Sequence, residues 1–125
     1  MNSLLCAAAL ALFAHGPQAP AVCLEVARTA QRAGIDPALA VAVSYVESRW
    51  TDVTNDIGAT GPMQVIRRYW GAPGQTDTER GVLALAVLTE RYGVEAGLCR
   101  YAIGNAAGSS CRYARRVIGV WRRVK

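Results

Sequence analysis

The chain has 125 residues, with 14 Lys and Arg against 9 Asp and Glu, and a formal net charge of +5. This length favours a single domain, and the basic balance suits an anionic partner such as nucleic acid, acidic lipid or a bacterial cell wall. His15 is the only histidine and no Cys-x-x-Cys spacing occurs, which argues against a metal site. Because aromatic and basic residues do not interleave as in a recognisable nucleic-acid module, we predict no nucleic-acid partner.

The first 21 residues are typical of a signal peptide. Leu4 to Phe13 is an uncharged apolar run, too short to span a bilayer comfortably, and the small-x-small pattern of residues 19–21 suits signal peptidase. We therefore predict removal of residues 1–21, a mature domain over residues 22–125, a periplasmic or secreted location and no integral membrane span. No Lys or Arg precedes the run, which leaves two alternatives, a short N-terminal helix of the mature fold or an uncleaved anchor.

The next part of the chain has the periodicity of two helices. Apolar residues at helical spacing predict a helix over 22–33, ended by Gly34. Asp36 is predicted to be the N-cap of a second helix over 37–48, with Pro37 at its first position. Because this second helix is apolar on nearly every side, we expect it to be the buried central helix.

The remaining elements are shorter. Residues 49–61 are predicted to form a loop and residues 63–66 a short strand or helix turn. Thr76 and Glu79 fit a capping box for a helix that runs to about Tyr92 and ends at Gly93. A short helix over 94–103, a loop over 104–110 and a last helix over 111–124, capped by Ser110, complete a mainly α fold with at most a short strand element.

The last helix carries much of the positive charge, from Arg112, Arg115, Arg116, Arg122, Arg123 and Lys125. This basic side is either a polyanion-binding surface or a solvated helix face without a partner.

Four cysteines are present. Cys6 falls in the predicted signal peptide, whereas Cys99 and Cys111 flank a loop rich in Gly, Asn and Ser and are the natural disulfide pair in an oxidising compartment. Closing so short a loop would contribute about 2–3 kcal/mol in the chain-entropy model. Cys23 is then expected to be unpaired.

The functional prediction depends on Glu47, which lies near the end of the apolar stretch DPALAVAVSYVES and is followed by the Gly-rich stretch GATGPMQV. Burial among apolar side chains and the negative end of the helix dipole both raise the pKa of such a carboxyl. A glutamic acid that stays protonated near neutral pH can donate a proton to a glycosidic oxygen. Asp52 or Asp56 could orient a water as the second carboxylate of a hydrolase, but a single-acid mechanism with a nucleophile from the substrate fits better.

Three stretches of this sequence, ESRW, GATGPMQV and RYAIGNAAG, resemble the three signatures of one enzyme family. The family is that of the lytic transglycosylases with a soluble-transglycosylase, goose-lysozyme-like domain, whose signatures read Glu-Ser, Gly-Ala-x-Gly-Leu-Met-Gln and Ala-Tyr-Asn-Ala-Gly. The matching residues are Glu47 and Ser48 in the first, Gly58, Ala59, Gly61, Met63 and Gln64 in the second, and Tyr101 and Gly104 in the third. Pro62 replaces the usual Leu, Ala102 the usual Asn, and Asn55 stands where Ser is usual. The resemblance spans about residues 22–120.

The resemblance implies a lysozyme-like α-helical domain that cleaves the β-1,4 bond between N-acetylmuramic acid and N-acetylglucosamine in the glycan strands of peptidoglycan. Glu47 would protonate the leaving oxygen. It would then act as a base on the muramyl sixth-carbon hydroxyl, which closes a 1,6-anhydro ring without consuming water. No metal or organic cofactor would be needed.

Further site residues follow from the same resemblance. Ser48 would orient Glu47 or contact the sugar, Met63 and Gln64 would line the groove, and Asn55 would belong to the same substrate-binding set. Tyr101 would hold Glu47 or stack near the cleaved sugar. The alternatives are that Met63 and Tyr101 are core residues and that Gln64 is a loop-capping amide.

The small size suits an accessory enzyme that opens gaps in peptidoglycan for a secretion, conjugation or pilus apparatus, whose components would then be partners. A hydrolytic lysozyme or phage lysis enzyme and a non-catalytic peptidoglycan-binding domain are the alternatives.

Overall fold

The structure is a computed structural model that describes residues 1–104 and 108–125. Within these ranges six α-helices follow one another, and they are α1 (Asn2–Leu12), α2 (Ala19–Arg32), α3 (Pro37–Ser48), α4 (Asp77–Tyr92), α5 (Val94–Ile103) and α6 (Arg112–Val124). A 3-10 turn covers Arg67–Tyr69. The prediction of a mainly α fold is confirmed.

Helix α3 forms the centre of the core. Every residue from Ala38 to Ser44 is buried, and the helix packs against α2 on one side and α6 on another. Its start is fixed by Asp36, whose Oδ1 accepts a hydrogen bond of 2.9 Å from the backbone N–H of Ala38. The predicted range, cap and burial of this helix are all confirmed. They could be predicted because their signals, a capping Asp before Pro and an apolar run, are local in the sequence.

The predicted limits of α4 and α5 also agree with the structure, and the capping box of α4 is present in both directions. The backbone N–H of Glu79 donates to Thr76 Oγ1 at 3.0 Å, and the N–H of Thr76 donates to Glu79 Oε1 at 2.9 Å. The prediction for the cap of α6 is wrong. Cys111 is the N-cap, whereas the Ser110 hydroxyl donates to Glu95 Oε2 at 2.9 Å.

The N-terminal segment packs against the rest of the chain. Cys6 and Ala9 lie one turn apart on the inward side of α1, both are buried, and Cys6 forms a disulfide with Cys23. The prediction that Cys23 is unpaired is therefore wrong. Helix α2 starts at Ala19 rather than residue 22, so the predicted cleavage point lies inside it. The packing of α1 fits the alternative of an N-terminal helix, and removal of residues 1–21 stays a prediction.

The second disulfide joins Cys99 in α5 to Cys111 at the start of α6, which confirms the predicted pair. Two disulfides are typical of a protein that resides outside the cytoplasm. Of the helices in the described ranges, none is long and apolar enough to cross a membrane. The loop predicted over 104–110 includes residues 105–107, which lie outside the described residues.

The chain reverses sharply where α3 ends. Arg49 and Trp50 both take the left-handed backbone conformation, with φ of 53° and 58°, which costs a residue other than glycine about 1 kcal/mol or more. The reversal returns Trp50 to the core, where it is fully buried and its Nε1 donates to the Val41 carbonyl at 3.0 Å. The predicted strand element is reduced to two isolated antiparallel bridges in the described residues, Thr54 with Thr60 and Thr60 with Val65.

Candidate active site

Glu47 lies in the last turn of α3 and lines a cleft of about 760 Å³. The lining comes from residues 55–66, Tyr69 and Trp70, one side of α4, the last turn of α5 and the start of α6. Burial raises the pKa of Glu47, and this effect outweighs the opposing effects of a hydrogen bond and of the positive charge of Arg116. The carboxyl is therefore biased toward its protonated form, as an acid catalyst requires.

Tyr113 holds the Glu47 carboxyl. Its phenolic O–H donates a hydrogen bond of 2.8 Å to Glu47 Oε2, and burial raises the pKa of Tyr113 well above its usual range, so the phenol keeps its proton. Tyr113 was not among the residues predicted for the site, and it lies on the apolar stripe of α6, packed against the core. Its position on that stripe, between exposed arginines, is the one signal that the residue points inward.

The Gly-rich stretch GATGPMQV, residues 58–65, forms a turn that packs closely against the N-terminus of α4, and it is called the Gly-rich turn below. Gly61 has a φ of +81°, and a Cβ built on it would lie 2.5 Å from the Cβ of Asp77. Asp77 is held in turn by Arg67, whose Nε and Nη2 donate to its two oxygens at 2.7 and 2.8 Å. Glycine is required here both for the backbone conformation and for the close approach of α4.

Gln64 and Asn55 line the cleft, as predicted, but their amides also hold the loop. Gln64 Nε2 donates to the carbonyls of Val53 and Gly61, at 2.9 Å each. Asn55 Oδ1 accepts from the backbone N–H groups of Ile57 and Ala59, at 3.0 Å each. The loop-capping alternative for Gln64 is therefore correct, and its Oε1 is the atom left to contact a ligand.

Two predicted binding residues do not line the cleft. Ser48 Oγ lies 2.7 Å from the Pro62 carbonyl and 3.2 Å from the Ser44 carbonyl, so it fastens the Gly-rich turn to α3 and has no hydrogen bond to Glu47. Met63 is fully buried, and its side chain would contact any Cβ added at Gly81 of α4. The groove role predicted for Met63 is wrong because the turn directs this side chain into the core.

Tyr101 lines the cleft but is not the residue that holds Glu47. Its hydroxyl donates to the Met63 carbonyl at 2.6 Å and so connects α5 to the Gly-rich turn. The exposed residue Ala102, which replaces the Asn of the family signature, lines the same cleft. Its methyl group offers a ligand no hydrogen bond.

The open side of the cleft is lined by exposed apolar and aromatic side chains that the sequence analysis did not assign to the site. Tyr69, Ile57 and Ile103 are 62%, 78% and 58% exposed, and Trp70 adds a second ring. Aromatic faces of this kind pack well against the apolar faces of sugar rings. The adjacent aromatic pair in a Gly- and Pro-containing loop was the sequence signal for this surface.

Glu47 is the sole carboxylate among the described residues that line the cleft. Asp52 lines a different depression, beside Arg67 and Asp77, and Asp56 is exposed. Neither lines the cleft that contains Glu47. In the described parts of the chain no three His, Cys, Asp or Glu side chains are grouped so as to hold a metal ion.

Comparison of the chain with protein-family models, with curated proteins and with solved structures finds no match.

Proposed function

We propose that this chain is a peptidoglycan lytic transglycosylase that acts outside the cytoplasm and cleaves the bond between N-acetylmuramic acid and N-acetylglucosamine. The observation that supports this most is the setting of Glu47, a single carboxyl with a raised pKa, at the wall of an open cleft. The resemblance of the sequence around Glu47 to the family signatures supports the choice of peptidoglycan as the substrate.

The proposed reaction needs one acid and no second carboxylate. Protonated Glu47 donates its proton to the glycosidic oxygen as the bond from that oxygen to the muramyl first carbon breaks. The Glu47 carboxylate then takes the proton of the muramyl sixth-carbon hydroxyl, whose oxygen bonds to the first carbon. The 1,6-anhydro ring closes, no water is consumed, and Glu47 regains its proton.

The surroundings of Glu47 suit both halves of this cycle. Burial favours the acid form needed first, whereas the Tyr113 hydrogen bond and the Arg116 charge stabilise the carboxylate formed on proton transfer. The absence of a second carboxylate from the described lining of the cleft favours an internal nucleophile over hydrolysis.

We also propose a biological setting. A small enzyme with an open cleft suits local opening of peptidoglycan for a secretion, conjugation or pilus apparatus in the periplasm or at the cell surface.

The mass of the released ends tests the reaction type. Sacculi digested with the purified protein should release muropeptides with 1,6-anhydro ends, which are lighter by one water than the reducing ends made by a lysozyme. Reducing ends would show hydrolysis, and wall binding without release would show a binding domain.

A further inference from the structure

Arg100 is a charged residue in the cleft that the proposed reaction does not use. It lies in α5, next to Tyr101, and of the described residues that line the cleft only Arg100 and Glu47 carry a charge. Its guanidinium carbon lies 3.9 Å from the centre of the Tyr92 ring. This stacking holds the planar group at the cleft wall while the N–H groups stay free to donate.

The described part of the chain supplies no acceptor for this guanidinium. No hydrogen bond or ion pair among the described residues involves the Arg100 side chain. Arg67, in contrast, is paired with Asp77, and Arg80 donates to several loop carbonyls. The undescribed residues 105–107 are Asn, Ala and Ala and contain no carboxylate. Five N–H donors in a fixed fork match the two oxygens of a carboxylate.

Arg100 is also separate from the proton-transfer chemistry. The cation that acts on the Glu47 carboxyl is Arg116, on α6, and not Arg100. Arg100 is therefore available to a part of the substrate other than the bond that Glu47 protonates.

We propose that Arg100 selects the substrate by binding a carboxylate carried by the substituent of the muramyl sugar. This inference rests on the proposed function. N-acetylglucosamine is uncharged, whereas the muramyl sugar carries carboxylates on its stem peptide or, where the stem is absent, on its lactyl ether. Arg100 thus makes the cleft discriminate peptidoglycan from neutral glycans such as chitin, which has the same β-1,4 linkage.

Binding measured in the Glu47→Gln background separates this inference from catalysis. Calorimetry compares three ligands, namely a glycan fragment with intact stems, the same fragment after an amidase has replaced each stem by a free lactyl carboxylate, and a chitooligosaccharide of equal length. We expect Arg100→Gln to weaken binding of a carboxylate-bearing fragment by about tenfold or more and to leave chitooligosaccharide binding within about twofold. Arg100→Lys should bind the carboxylate-bearing fragment with an affinity between those of the parent and Arg100→Gln, because lysine keeps the positive charge but loses the paired donors of the guanidinium.

Arg91 provides a matched control, since its guanidinium stacks on the same Tyr92 ring, at 5.4 Å, but does not line the cleft. Arg91→Gln should keep the preference for carboxylate-bearing fragments over chitooligosaccharide.

The two peptidoglycan fragments identify the group that Arg100 binds. If the preference persists with stripped strands, the lactyl carboxylate is the contact, and if it needs intact stems, a carboxylate of the peptide is the contact. If Arg100→Gln loses affinity equally for all three ligands, or loses none, the inference is overturned. Failure of the parent protein to bind any peptidoglycan fragment would instead count against the proposed function itself.

Discussion

Tyr113 and Glu47, 66 residues apart in the sequence, are joined by a 2.8 Å hydrogen bond from the phenol to Glu47 Oε2. The bond fixes one oxygen of the carboxyl and leaves Oε1 available to a ligand in the cleft. It also stabilises the charged form, so it moderates the rise in pKa that burial causes. Tyr113 is thus a positioning residue for the proposed acid.

Tyr113→Phe tests this relationship. Loss of the donor removes an effect that lowers the pKa of Glu47, so the pKa should rise further and the basic limb of the pH profile of kcat/KM should move to higher pH. At the pH optimum, kcat should fall by about tenfold, the value of a hydrogen bond to a charged group, with a smaller change in KM.

Tyr101→Phe is the control, because its hydroxyl donates to the Met63 carbonyl and not to Glu47. It should lower the free energy of unfolding by about 1–3 kcal/mol without moving the basic limb. Equal shifts of the limb in both variants, or none in Tyr113→Phe, would exclude the positioning role.

Glu47→Gln should change stability in a pH-dependent way. A raised pKa in the folded state means that the protonated carboxyl contributes stability, which is fully present below the ordinary value of 4.5 and is lost as pH rises through the folded-state value. The amide cannot ionise and can still accept from Tyr113. The variant should therefore be more stable than the parent near neutral pH, and the difference should vanish below pH 4.5.

Urea unfolding at several pH values measures this difference, with Glu90→Gln as a control for the removal of an exposed negative charge. A Glu47→Gln variant that is less stable than the parent near neutral pH would contradict the raised pKa.

Much of the scaffold that presents Glu47 was predictable because its signals are local. Asp36 with Pro37 begins α3, Thr76 with Glu79 caps α4, and the apolar composition of 37–48 indicates burial. The partners of side chains were harder to predict. Met63 and Ser48 belong to two of the signature stretches, yet the Met63 side chain lies in the core and the Ser48 hydroxyl, at the end of α3, donates to the Pro62 carbonyl of the Gly-rich turn.

Contacts across long stretches of sequence account for most of the errors. The Tyr113 contact depends on how α6 packs on α3, which periodicity alone does not determine. The Cys6 to Cys23 disulfide was missed because a signal-like composition led us to set Cys6 aside. Tyr69 and Trp70 were missed because a loop gives no periodic pattern from which the orientation of a side chain can be read.

Packing of α5 on α4 positions Tyr101 and Arg100, and two glycines offer a matched test of it. A Cβ on Gly97 would lie 2.7 Å from the Leu88 carbonyl oxygen, whereas nothing lies within 4 Å of a Cβ on Gly119 of α6. Gly97→Ala should destabilise the fold by about 1–3 kcal/mol through overpacking. Gly119→Ala should stabilise it by about 0.8–1 kcal/mol because alanine is the better helix former. Thermal unfolding compares the two, and similar changes in both variants would contradict the close approach of α5 to α4.

The Cys99 to Cys111 disulfide should matter for activity as well as for stability. Each cysteine lies two residues before a tyrosine of the cleft, Tyr101 or Tyr113, so the bond holds the ends of α5 and α6 together at the site. Replacing both cysteines by Ala should cost about 2–3 kcal/mol and lower kcat, measured at a temperature where the variant stays folded.

The other disulfide, Cys6 to Cys23, is the control, since neither residue lines the cleft. Replacing that pair by Ala should reduce stability and leave kcat unchanged. An unchanged kcat in the Cys99 and Cys111 variant would show that helix packing alone holds the two tyrosines.

The most direct test of the central claim is the release of soluble muropeptides from purified sacculi, compared between the parent protein and Glu47→Gln. The parent should release fragments with 1,6-anhydro ends, and the variant should bind the sacculi and release none. Release by Glu47→Gln at close to the parental rate would contradict the assignment of Glu47 as the acid.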